Sequence, residues 1–459
     1  MPCGHATKYP QGCRSAWKQA QGHEAGRTGR LAGHRGTRPM RQRAFLILLG
    51  ALTLSGCGQY TSGRYGGGPQ FGPIAPTPLG PNAANPNASR RAAAILLPLT
   101  GPRADLGQVL LQSAQLALQD NSGPTLDVLD TGGTAAGAAT AAQTAVSNGD
   151  SVILGPLTSA ETASVAPIAR GAGIPVLAFT NDAAQSQPGV WPLGISASQQ
   201  IRRLVIAAQA QGKSQFAALL PDSDFGRAMA GALTRTTQAA GLQPASIKMH
   251  APGMAAITAT VKDLSEYASR RGPIDAKVKA ARALGTADGR REAQELVKTP
   301  IPPPSFDVLL LADTGDALQE IAAVLPYYDV DRSAVQIIGP ALWADPASGS
   351  GSVRGAWYAA PDSSTRSNLE RDYTAKYGVP PSPLADLAFD AASVAKIIVG
   401  PAGADMAILS QQGGFVGTDG WFTLLPDGQV RRGLAVYRIE RAGPELIDPA
   451  PQAADSPAL

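Results

Sequence analysis

Short apolar runs alternate with amphipathic stretches along the chain from residue 92 onwards. A short, continuous apolar run predicts a buried strand. Apolar positions spaced three or four residues apart predict a helix that packs one face against a core. The predicted strands are 92–97, 126–129, 152–154 and 175–179. The predicted helices between them are 107–118, 134–148 and 158–171. This alternation predicts a parallel sheet with helices on both faces.

The same alternation restarts further along the chain. Strands are predicted at 216–220, 244–249, 307–312 and 335–338, with helices at 224–241 and 317–325. The pattern therefore predicts an α/β fold, a two-lobed clamshell in which each lobe is a doubly wound, mostly parallel sheet with helices on both faces. Two independent dinucleotide-binding domains are the alternative, but no Gly-x-Gly-x-x-Gly follows a strand and opens a helix. Ligands of such sheets bind at the carboxyl ends of the strands.

Residues 40–57 have the pattern of an export signal. Two arginines precede a short apolar run, and Leu-Ser-Gly at 54–56 precedes Cys57. The segment 54–57 resembles the lipobox of bacterial lipoproteins, which implies a signal peptide at 40–56 and a lipid on Cys57. An ordinary cleaved signal or an uncleaved anchor is the alternative. Because export signals lie near the start of a chain, we interpret 1–39 as a non-native upstream extension and Met40 as the initiator.

The remaining boundaries follow from composition. Residues 57–91 are rich in Gly, Pro and Asn and predict a disordered tether. We assign 92–197 and 358–416 to the first lobe, and 198–357 and 417–440 to the second. The charged segment 262–304 is predicted to be a helical insertion in the second lobe, with Val278, Leu284, Leu296 and Val297 as its apolar anchors. Residues 441–459 are predicted to be a disordered tail.

Charge and residue counts exclude several classes of function. The formal charge of +4 depends on the first 39 residues, and without them the chain is close to neutral, which argues against a nucleic-acid partner. After Cys57 no cysteine follows, and His250 is the only histidine of the folded part. We therefore predict no metal, no cofactor and no catalytic triad, and interpret His250 as a surface or loop residue. The sequence predicts a binding protein, not an enzyme; carboxylates such as Asp222 leave acid-base catalysis as a weaker alternative.

Several motifs carry a resemblance to a known family. They are Leu-Pro-Leu-Thr-Gly-Pro at 97–102, Gly-Pro-Leu-Thr-Ser at 155–159, Val-Ala-Pro-Ile-Ala at 165–169, Asp-Phe-Gly at 224–226 and Phe-Asp-Ala-Ala at 389–392. In this order they resemble the leucine-binding-protein-like type I periplasmic binding proteins. The resemblance implies that the loops after two first-lobe strands hold a ligand's carboxylate through hydroxyls and backbone N–H groups. Ser159 matches the first loop.

The second loop departs from the family's pattern, because Thr180, Asn181 and Asp182 replace smaller residues and Asp182 would repel a carboxylate. Thr158 and Ser159 have helix capping as their alternative role. Asp182 has the alternative role of a turn residue. Aromatic residues that follow strand or helix ends are further candidates, with burial in the core as their alternative. The ligand-cleft candidates are Thr100, Thr158, Ser159, Thr180, Asn181, Asp182, Asp224, Tyr327, Tyr328 and Trp343.

Other segments resemble a branch of this superfamily, the lipoprotein activators of penicillin-binding proteins. They include 306–310, 325–330, 339–343 and 431–437. Gly58 stands in place of the aspartate that would favour inner-membrane retention, which agrees with an outer-membrane anchor. The favoured function is therefore a lipid-anchored, periplasm-facing activator of a peptidoglycan synthase. The alternative is a solute receptor of an importer for branched-chain amino acids or amides, with a small amino-acid-like ligand.

The insertion at 262–304 is the predicted partner surface of such an activator. Its candidate contacts are Arg270, Arg271, Lys277, Arg290 and Arg291. A solvated insertion without any partner is the alternative, because runs of charge are usually solvated.

Overall fold

The computed structural model describes residues 92–120, 123–362 and 366–452. The predicted upstream extension, the export signal, Cys57 and the tether lie outside the described residues, so their assignments stay predictions. None of the described helices is both long and apolar enough to cross a bilayer.

The first sheet has five parallel strands in the order β2-β1-β3-β4-β5. They are β1 Ala92–Leu97, β2 Thr125–Asp130, β3 Ile153–Leu154, β4 Val176–Ala178 and β5 Val190–Pro192. The helices between them are α1 Ala104–Ala117, α2 Ala135–Asn148 and α3 Ser159–Gly171. Every residue of β1 is buried, which explains its uninterrupted apolar sequence. α2 and α3 cover one face of this sheet and α1 lies on the other.

The second sheet has seven strands in the order β17-β16-β10-β9-β8-β6-β7. Its parallel part consists of β6 Phe216–Pro221, β7 Ser246–His250, β8 Val308–Leu311, β9 Gln336–Gly339 and β10 Trp357–Ala360. The helices of this part are α4 Ala197–Ala210, α5 Asp224–Ala239, α6 Met254–Leu264, α7 Tyr267–Ala283, α8 Ala287–Val297 and α9 Gly315–Val324. Separate apolar clusters cover its two faces. The predicted fold class, two doubly wound and mostly parallel lobes, is confirmed.

The last part of the chain contributes to both lobes. Its helices are α10 Ser367–Tyr377, α11 Ala385–Ile398 and α12 Met406–Leu409. Its strands are β11 Val399–Gly400, β12 Gly403–Ala404, β13 Phe415–Gly417, β14 Gly420–Leu424, β15 Val430–Arg432, β16 Ala435–Glu440 and β17 Gly443–Asp448. The first lobe receives α11, which packs along α1, while β16 and β17 extend the second sheet as antiparallel strands.

Two of the predicted lobe boundaries are wrong. The prediction placed 417–440 in the second lobe, but β13, β14 and β15 form a separate antiparallel sheet whose Phe422 and Leu424 pack into the first core. The chain returns to the second sheet only at β16. The prediction also began the first lobe's return at 358, whereas β10 pairs with β9 and β16 inside the second sheet. Both errors arise because short strands give no sequence signal for the sheet they join.

The prediction of a disordered tail from residue 441 is wrong for the first part of that segment. Residues Gly443–Asp448 form β17, and Arg203 on α4 fixes its end. The Arg203 guanidinium is buried, donates to the Leu434 carbonyl at 2.7 Å and lies 2.8 Å from the Asp448 carboxylate. This contact comes from a helix more than 200 residues earlier, so the local Pro-rich composition does not reveal it.

Candidate functional site

A cavity of about 940 Å³ lies where both lobes present the carboxyl ends of their parallel strands. The first lobe contributes the loops after β3 and β4, and the second lobe contributes the segments after β6, β8, β9 and β10. First-lobe residues on its wall are Leu157, Thr158, Ser159, Phe179, Thr180 and Asn181. Second-lobe residues include Phe225, Thr314, Ala341, Leu342 and Ala344. This position is where doubly wound sheets bind ligands.

The polar end of the cavity is built around the first turn of α3. Ser159 is the first residue of that helix, and its hydroxyl lies 3.0 Å from the hydroxyl of Thr180. Helix N-termini present backbone N–H groups without intrahelical partners, and the helix dipole favours an anion there. Two hydroxyls beside such a terminus suit a carboxylate.

A buried glutamate holds this loop in place. Glu161 accepts a hydrogen bond from the Thr131 hydroxyl at 2.6 Å. It also accepts bonds from the backbone N–H and the hydroxyl of Thr158, at 3.0 and 2.6 Å. The Thr158 hydroxyl in turn accepts a hydrogen bond from the backbone N–H of Glu161. It thereby caps α3 and completes a capping box. Thr158 therefore has the predicted capping role and also lies on the wall of the cavity, whereas the Ser159 hydroxyl contacts the next loop.

Asp182 does not line the cavity, although the sequence made it a cleft candidate. Its carboxylate accepts from the backbone N–H of Ala184 at 3.0 Å and from the Gln185 amide at 3.2 Å, as an Asx turn does. Thr180 and Asn181, the other two candidates of the same loop, do line the cavity. The acidic group that would repel a carboxylate is thus engaged in a turn beside the cavity.

Other predicted cleft residues have different surroundings. The Thr100 hydroxyl donates to Asp130 at 2.6 Å, and the Asp224 carboxylate pairs with Arg227 at 2.9 Å on the surface of α5. Neither residue lines the cavity; Phe225, next to Asp224, does. Polar strand-end residues of this kind are hard to assign from sequence, because turns and caps use the same side chains.

The aromatic candidates also lie outside the cavity wall. Tyr327 is 83% exposed, and Tyr328 packs edge-on against Tyr267 with ring centroids 5.2 Å apart. Trp343 is buried beneath the wall and donates its indole N–H to the Asp313 carbonyl at 2.9 Å. A side chain on Gly339 would collide with the Trp343 ring, so this glycine makes room for the indole. The two neighbours of Trp343, Leu342 and Ala344, reach the cavity instead.

The prediction that His250 is a surface or loop residue is wrong. His250 ends β7 and is buried, with one ring nitrogen 3.2 Å from the Asp313 carboxylate and the other 3.0 Å from the Ala251 carbonyl. Burial by itself lowers the pKa of His250, but the hydrogen bonds to Asp313 and Ala251 raise it above its ordinary value. A single histidine gave no sequence signal, because its partner lies on a different strand end.

Asp419 is a cavity residue that the sequence analysis missed. It lies in the turn between β13 and β14, lines the cavity and is only 7% exposed. The nearest cation is the Arg432 guanidinium, with 3.7 Å between Asp419 Oδ2 and Arg432 Nη1. That distance is too long for a hydrogen bond. Arg432 uses its other terminal nitrogen to donate to the Leu193 carbonyl at 3.1 Å.

Two more buried carboxylates form an acidic cluster with Asp419. Asp386 and Asp390 lie one turn apart on α11, each 1% exposed. Arg366 donates to Asp386 at 2.6 Å, and Asp390 accepts from the backbone N–H of Thr418 at 2.7 Å. One carboxylate oxygen of each α11 aspartate has no hydrogen-bond partner within the described part of the chain. We call Asp386, Asp390 and Asp419 the acidic cluster.

Burial shifts both α11 carboxyls towards the protonated form. Burial, reinforced by the charges of Asp419 and Asp390, raises the pKa of Asp386 to about 8 against the opposing effect of Arg366. Burial likewise raises the pKa of Asp390 to about 6, although Arg432 and the hydrogen bonds from Thr418 oppose the rise. Across the described ranges, no three His, Cys, Asp or Glu side chains converge in a way that suits a metal ion.

Comparison with known proteins agrees with this architecture. Residues 92–444 match the family described as periplasmic binding protein. The chain belongs to that family. Its two mostly parallel sheets are thus the fold of a periplasmic binding protein. No curated protein shows significant sequence similarity to the chain.

Solved structures of periplasmic binding proteins share the fold at low sequence identity. A protein described as a branched-chain amino acid ABC transporter from Rhodospirillum rubrum is 18% identical with a TM-score of 0.59; the match covers 78% of this chain and all of that one. A branched-chain amino acid ligand-binding protein from Burkholderia xenovorans is 16% identical with a TM-score of 0.58, covering 80% and 97%.

Full-length LpoA from Haemophilus influenzae is 16% identical with a TM-score of 0.55, and the match covers 78% of this chain but 59% of LpoA. At these identities the likeness shows the fold alone.

Within the segment that was predicted to be an insertion, α7 and α8 form a helical hairpin packed on a small core of Val278, Ala281 and Ala293. Leu296 packs at its edge, while the predicted anchors Leu284 and Val297 are exposed. We call α7 and α8 the inserted hairpin.

The five candidate contacts of the inserted hairpin have two kinds of surroundings. Arg270 donates to the carbonyls of Ser265, Pro302 and Tyr328 and so fixes the base of the hairpin. Arg271 pairs with Asp275 and donates to the Val297 carbonyl. The other three, Lys277, Arg290 and Arg291, are exposed near the loop that joins the helices.

Proposed function

We propose that this chain is a non-catalytic envelope binding protein whose cleft binds a small organic carboxylate with an apolar body, as a solute receptor does. The observation that carries the proposal is the polar end of the cavity, where the hydroxyls of Ser159 and Thr180 meet the N-terminus of α3. Phe179, Phe225 and Leu342 supply apolar wall for the rest of the ligand. Asp182, the main objection to a carboxylate, is engaged in its own turn.

The place of the protein in the cell is part of the same proposal. Cys57 would carry a lipid, and residues 57–91 would tether the domain so that it faces the periplasm. Gly58 supports an outer-membrane location for the anchor. This part rests on the sequence, because these residues lie outside the described ranges.

The test is the binding of carboxylates by the full chain, measured by thermal unfolding and calorimetry. A ligand present at a thousand times its Kd adds about 4 kcal/mol to the free energy of unfolding, which raises Tm by several degrees. Replacing both hydroxyls, Ser159→Ala with Thr180→Val, is expected to weaken binding at least about tenfold, because the carboxylate loses two donors. Thr234→Ala is the matched control, since that hydroxyl is exposed and bonds within its own helix.

Two outcomes would contradict the proposal. The first is that no carboxylate shifts Tm at millimolar concentration. The second is that the double variant binds as tightly as the wild type, which would place the ligand elsewhere.

A second candidate function, binding and activation of a penicillin-binding protein, is favoured by the inserted hairpin. Residues 267–298 contain eight Arg and Lys against four Asp and Glu. The rest of the described chain contains 19 basic and 29 acidic residues. The hairpin is therefore a basic projection on an acidic domain, and its charge suits an acidic protein surface. A clamshell that only binds a solute has no need of it.

Reversing basic charges on the inserted hairpin tests this candidate function and leaves the fold intact. Lys277, Lys279 and Arg282 are exposed and lie in the last two turns of α7. Changing all three to Glu is expected to weaken binding to a purified penicillin-binding protein about tenfold or more at low salt, and less at high salt, because salt screens exposed charges. Arg371→Glu with Arg441→Glu changes exposed charge outside the hairpin and serves as the control. Equal affinities of both variants would count against the candidate.

A further inference from the structure

We propose that the tip of the inserted hairpin binds the surface of an anionic phospholipid bilayer. The tip is residues 277–291, which are the last two turns of α7, the connecting loop and the first turn of α8. Three features carry this proposal: the distribution of charge along the hairpin, an exposed leucine at its apex and the small size of the tip. The proposal goes beyond the ligand cleft and does not rest on it.

The net positive charge of the inserted hairpin is confined to its tip. The tip contains five basic residues and one acidic residue, whereas the rest of the hairpin contains three of each. Within the described residues the tip holds one ion pair, in which Arg291 lies 2.8 Å from Asp288. Lys277, Lys279 and Arg282 are exposed at the end of α7. An exposed cluster of cations of this kind attracts a surface of negative charge.

An apolar side chain lies at the apex among these cations. Leu284 is 63% exposed and lies in the short loop that joins α7 to α8. Arg290 donates from Nη1 to the Gly285 carbonyl at 3.1 Å, which holds a guanidinium beside the same loop. At a bilayer surface, an apolar side chain enters the boundary between headgroups and acyl chains while cations stay at the phosphates. The leucine and the cations therefore match the two layers of that surface.

The size and composition of the tip favour a bilayer over a protein partner. The tip has fifteen residues, whereas a stable protein interface takes about 20 to 30 residues a side. It also contains no Trp or Tyr, the apolar anchors that are enriched at the centres of protein interfaces. A protein partner would have to contact the sides of the hairpin as well. A bilayer needs no such area, because its charge and its apolar layer extend around any point of contact.

The proposed lipid on Cys57 would place the tip within reach of a bilayer. A flexible tether of residues 57–91 spans about 30 Å root mean square. A weak affinity of the tip is then sufficient, because tethering gives the second contact a high effective concentration. Contact through the tip would fix which side of the domain faces the membrane. This consequence rests on the proposed anchor, whereas the binding itself does not.

The experiment follows the tip itself with a fluorescent label. In the full chain Cys3, Cys13 and Cys57 are changed to Ser, and Ala287→Cys, exposed at the start of α8, carries an environment-sensitive dye. Vesicles of equal parts phosphatidylcholine and phosphatidylglycerol are expected to shift the dye emission to shorter wavelengths. Vesicles of phosphatidylcholine alone are not, and high salt should reverse the shift. Because the dye reports only the tip, binding of other basic segments to the vesicles does not produce the shift.

Charge reversal at the tip is expected to weaken this response. Lys277→Glu with Lys279→Glu and Arg282→Glu should raise the lipid concentration that gives half of the shift at least about tenfold. Arg371→Glu with Arg441→Glu is the matched control and should respond as the wild type does, since these exposed cations lie outside the hairpin.

The leucine has a separate test. Leu284→Ser is expected to weaken the response about threefold or more, because serine gains little from entering the apolar boundary. Ile397→Ser is the matched control, since Ile397 is 57% exposed on α11, away from the hairpin. A response of Leu284→Ser equal to that of the control would overturn the contact assigned to the leucine.

Three outcomes would overturn the bilayer site as a whole. The first is an absent shift with anionic vesicles or an equal shift with both kinds of vesicle. The second is an equal response of the charge-reversed variant and its control. The third is a shift produced by a purified penicillin-binding protein but not by anionic vesicles, which would assign the tip to the second candidate function. The comparison of vesicles on the wild type decides the matter even where a variant does not fold.

The cleft is tested independently on the same samples. Binding of a carboxylate ligand is expected to be unchanged by charge reversal at the tip. Failure of the tip to bind vesicles therefore leaves the proposed function standing, and failure of the cleft to bind carboxylates leaves the bilayer site standing.

Discussion

Replacing Glu161 by alanine is expected to lower the free energy of unfolding by about 3 kcal/mol and to weaken ligand binding in the cleft. The carboxylate is fully buried and accepts hydrogen bonds from Thr131 and from two donors of Thr158. Alanine removes the acceptor, leaves the Thr131 O–H and the Thr158 N–H without an acceptor, and opens a small cavity. It also breaks the capping box at the helix terminus that supports Ser159. Urea denaturation measures the first effect and calorimetry the second.

Glu161→Gln separates the two effects. The amide keeps the shape and one acceptor oxygen, so a loss of about 1 kcal/mol is expected and the domain stays folded. Ligand affinity is still expected to fall several-fold, because the loop that carries Ser159 loses one of its charged hydrogen bonds. Glu292→Ala, on the exposed face of α8, should change stability by less than about 0.5 kcal/mol. Glu161→Ala with wild-type stability would contradict this account of the loop.

The first lobe could be predicted from sequence because its strands are buried on both faces. β1, β3 and β4 therefore appear as uninterrupted apolar runs, and the helices between them carry caps and apolar stripes. The position of the cleft followed from the same pattern, since ligand loops come directly after such strands. Thr158, Ser159, Thr180 and Asn181 were candidates because of the resemblance to the family, and all four line the cavity.

The carboxyl-terminal region could not be predicted in the same way. β13, β14 and β15 are three to five residues long, and nothing in their composition distinguishes the core they join. β17 contains Pro444 and is followed by Pro449, which is typical of a disordered tail, yet the distant Arg203 fixes its end. Contacts across such sequence distances are set by the assembled fold and not by local preference.

Asp419 was not predicted from the sequence, for a related reason. Its burial depends on α11, β15 and the β13–β14 turn meeting in space, and no spacing rule links these segments. One signal was available. Asp386 and Asp390 sit four residues apart on a helix whose other positions on that side are apolar, and a charge on a core-facing stripe indicates a buried ionic network.

Gly417 shows how tightly this network is enclosed. A side chain at this position would collide with the carboxylate of Asp390. The Asp390 carboxylate therefore packs directly on the backbone of β13 and accepts the N–H of the next residue, Thr418. This packing contributes to the burial of Asp390, and burial is the largest cause of its raised pKa.

The acidic cluster is expected to make the domain less stable as the pH rises from 5 to 8. In the folded chain the pKa values of Asp386 and Asp390 are about 8 and about 6, whereas an unfolded aspartate releases its proton near 4. At pH values between the unfolded pKa and the folded pKa of each group, the folded state binds more protons than the unfolded state. The free energy of unfolding therefore falls as pH rises through this range, and the contribution of these groups is fully present only below about pH 4.

Asp386→Asn tests this expectation because an amide cannot ionise. The wild type is expected to lose about 3 kcal/mol more than the variant between pH 5 and pH 8, measured by urea denaturation at closely spaced pH values. The hydrogen bond from Arg366 can be kept by the amide oxygen, so the comparison isolates the buried charge. Asp105→Asn, on the exposed surface of α1, should follow the wild-type curve. Identical pH slopes for the wild type and Asp386→Asn would mean that Asp386 stays ionised in the folded state, with Arg366 outweighing burial and the charges of Asp390 and Asp419.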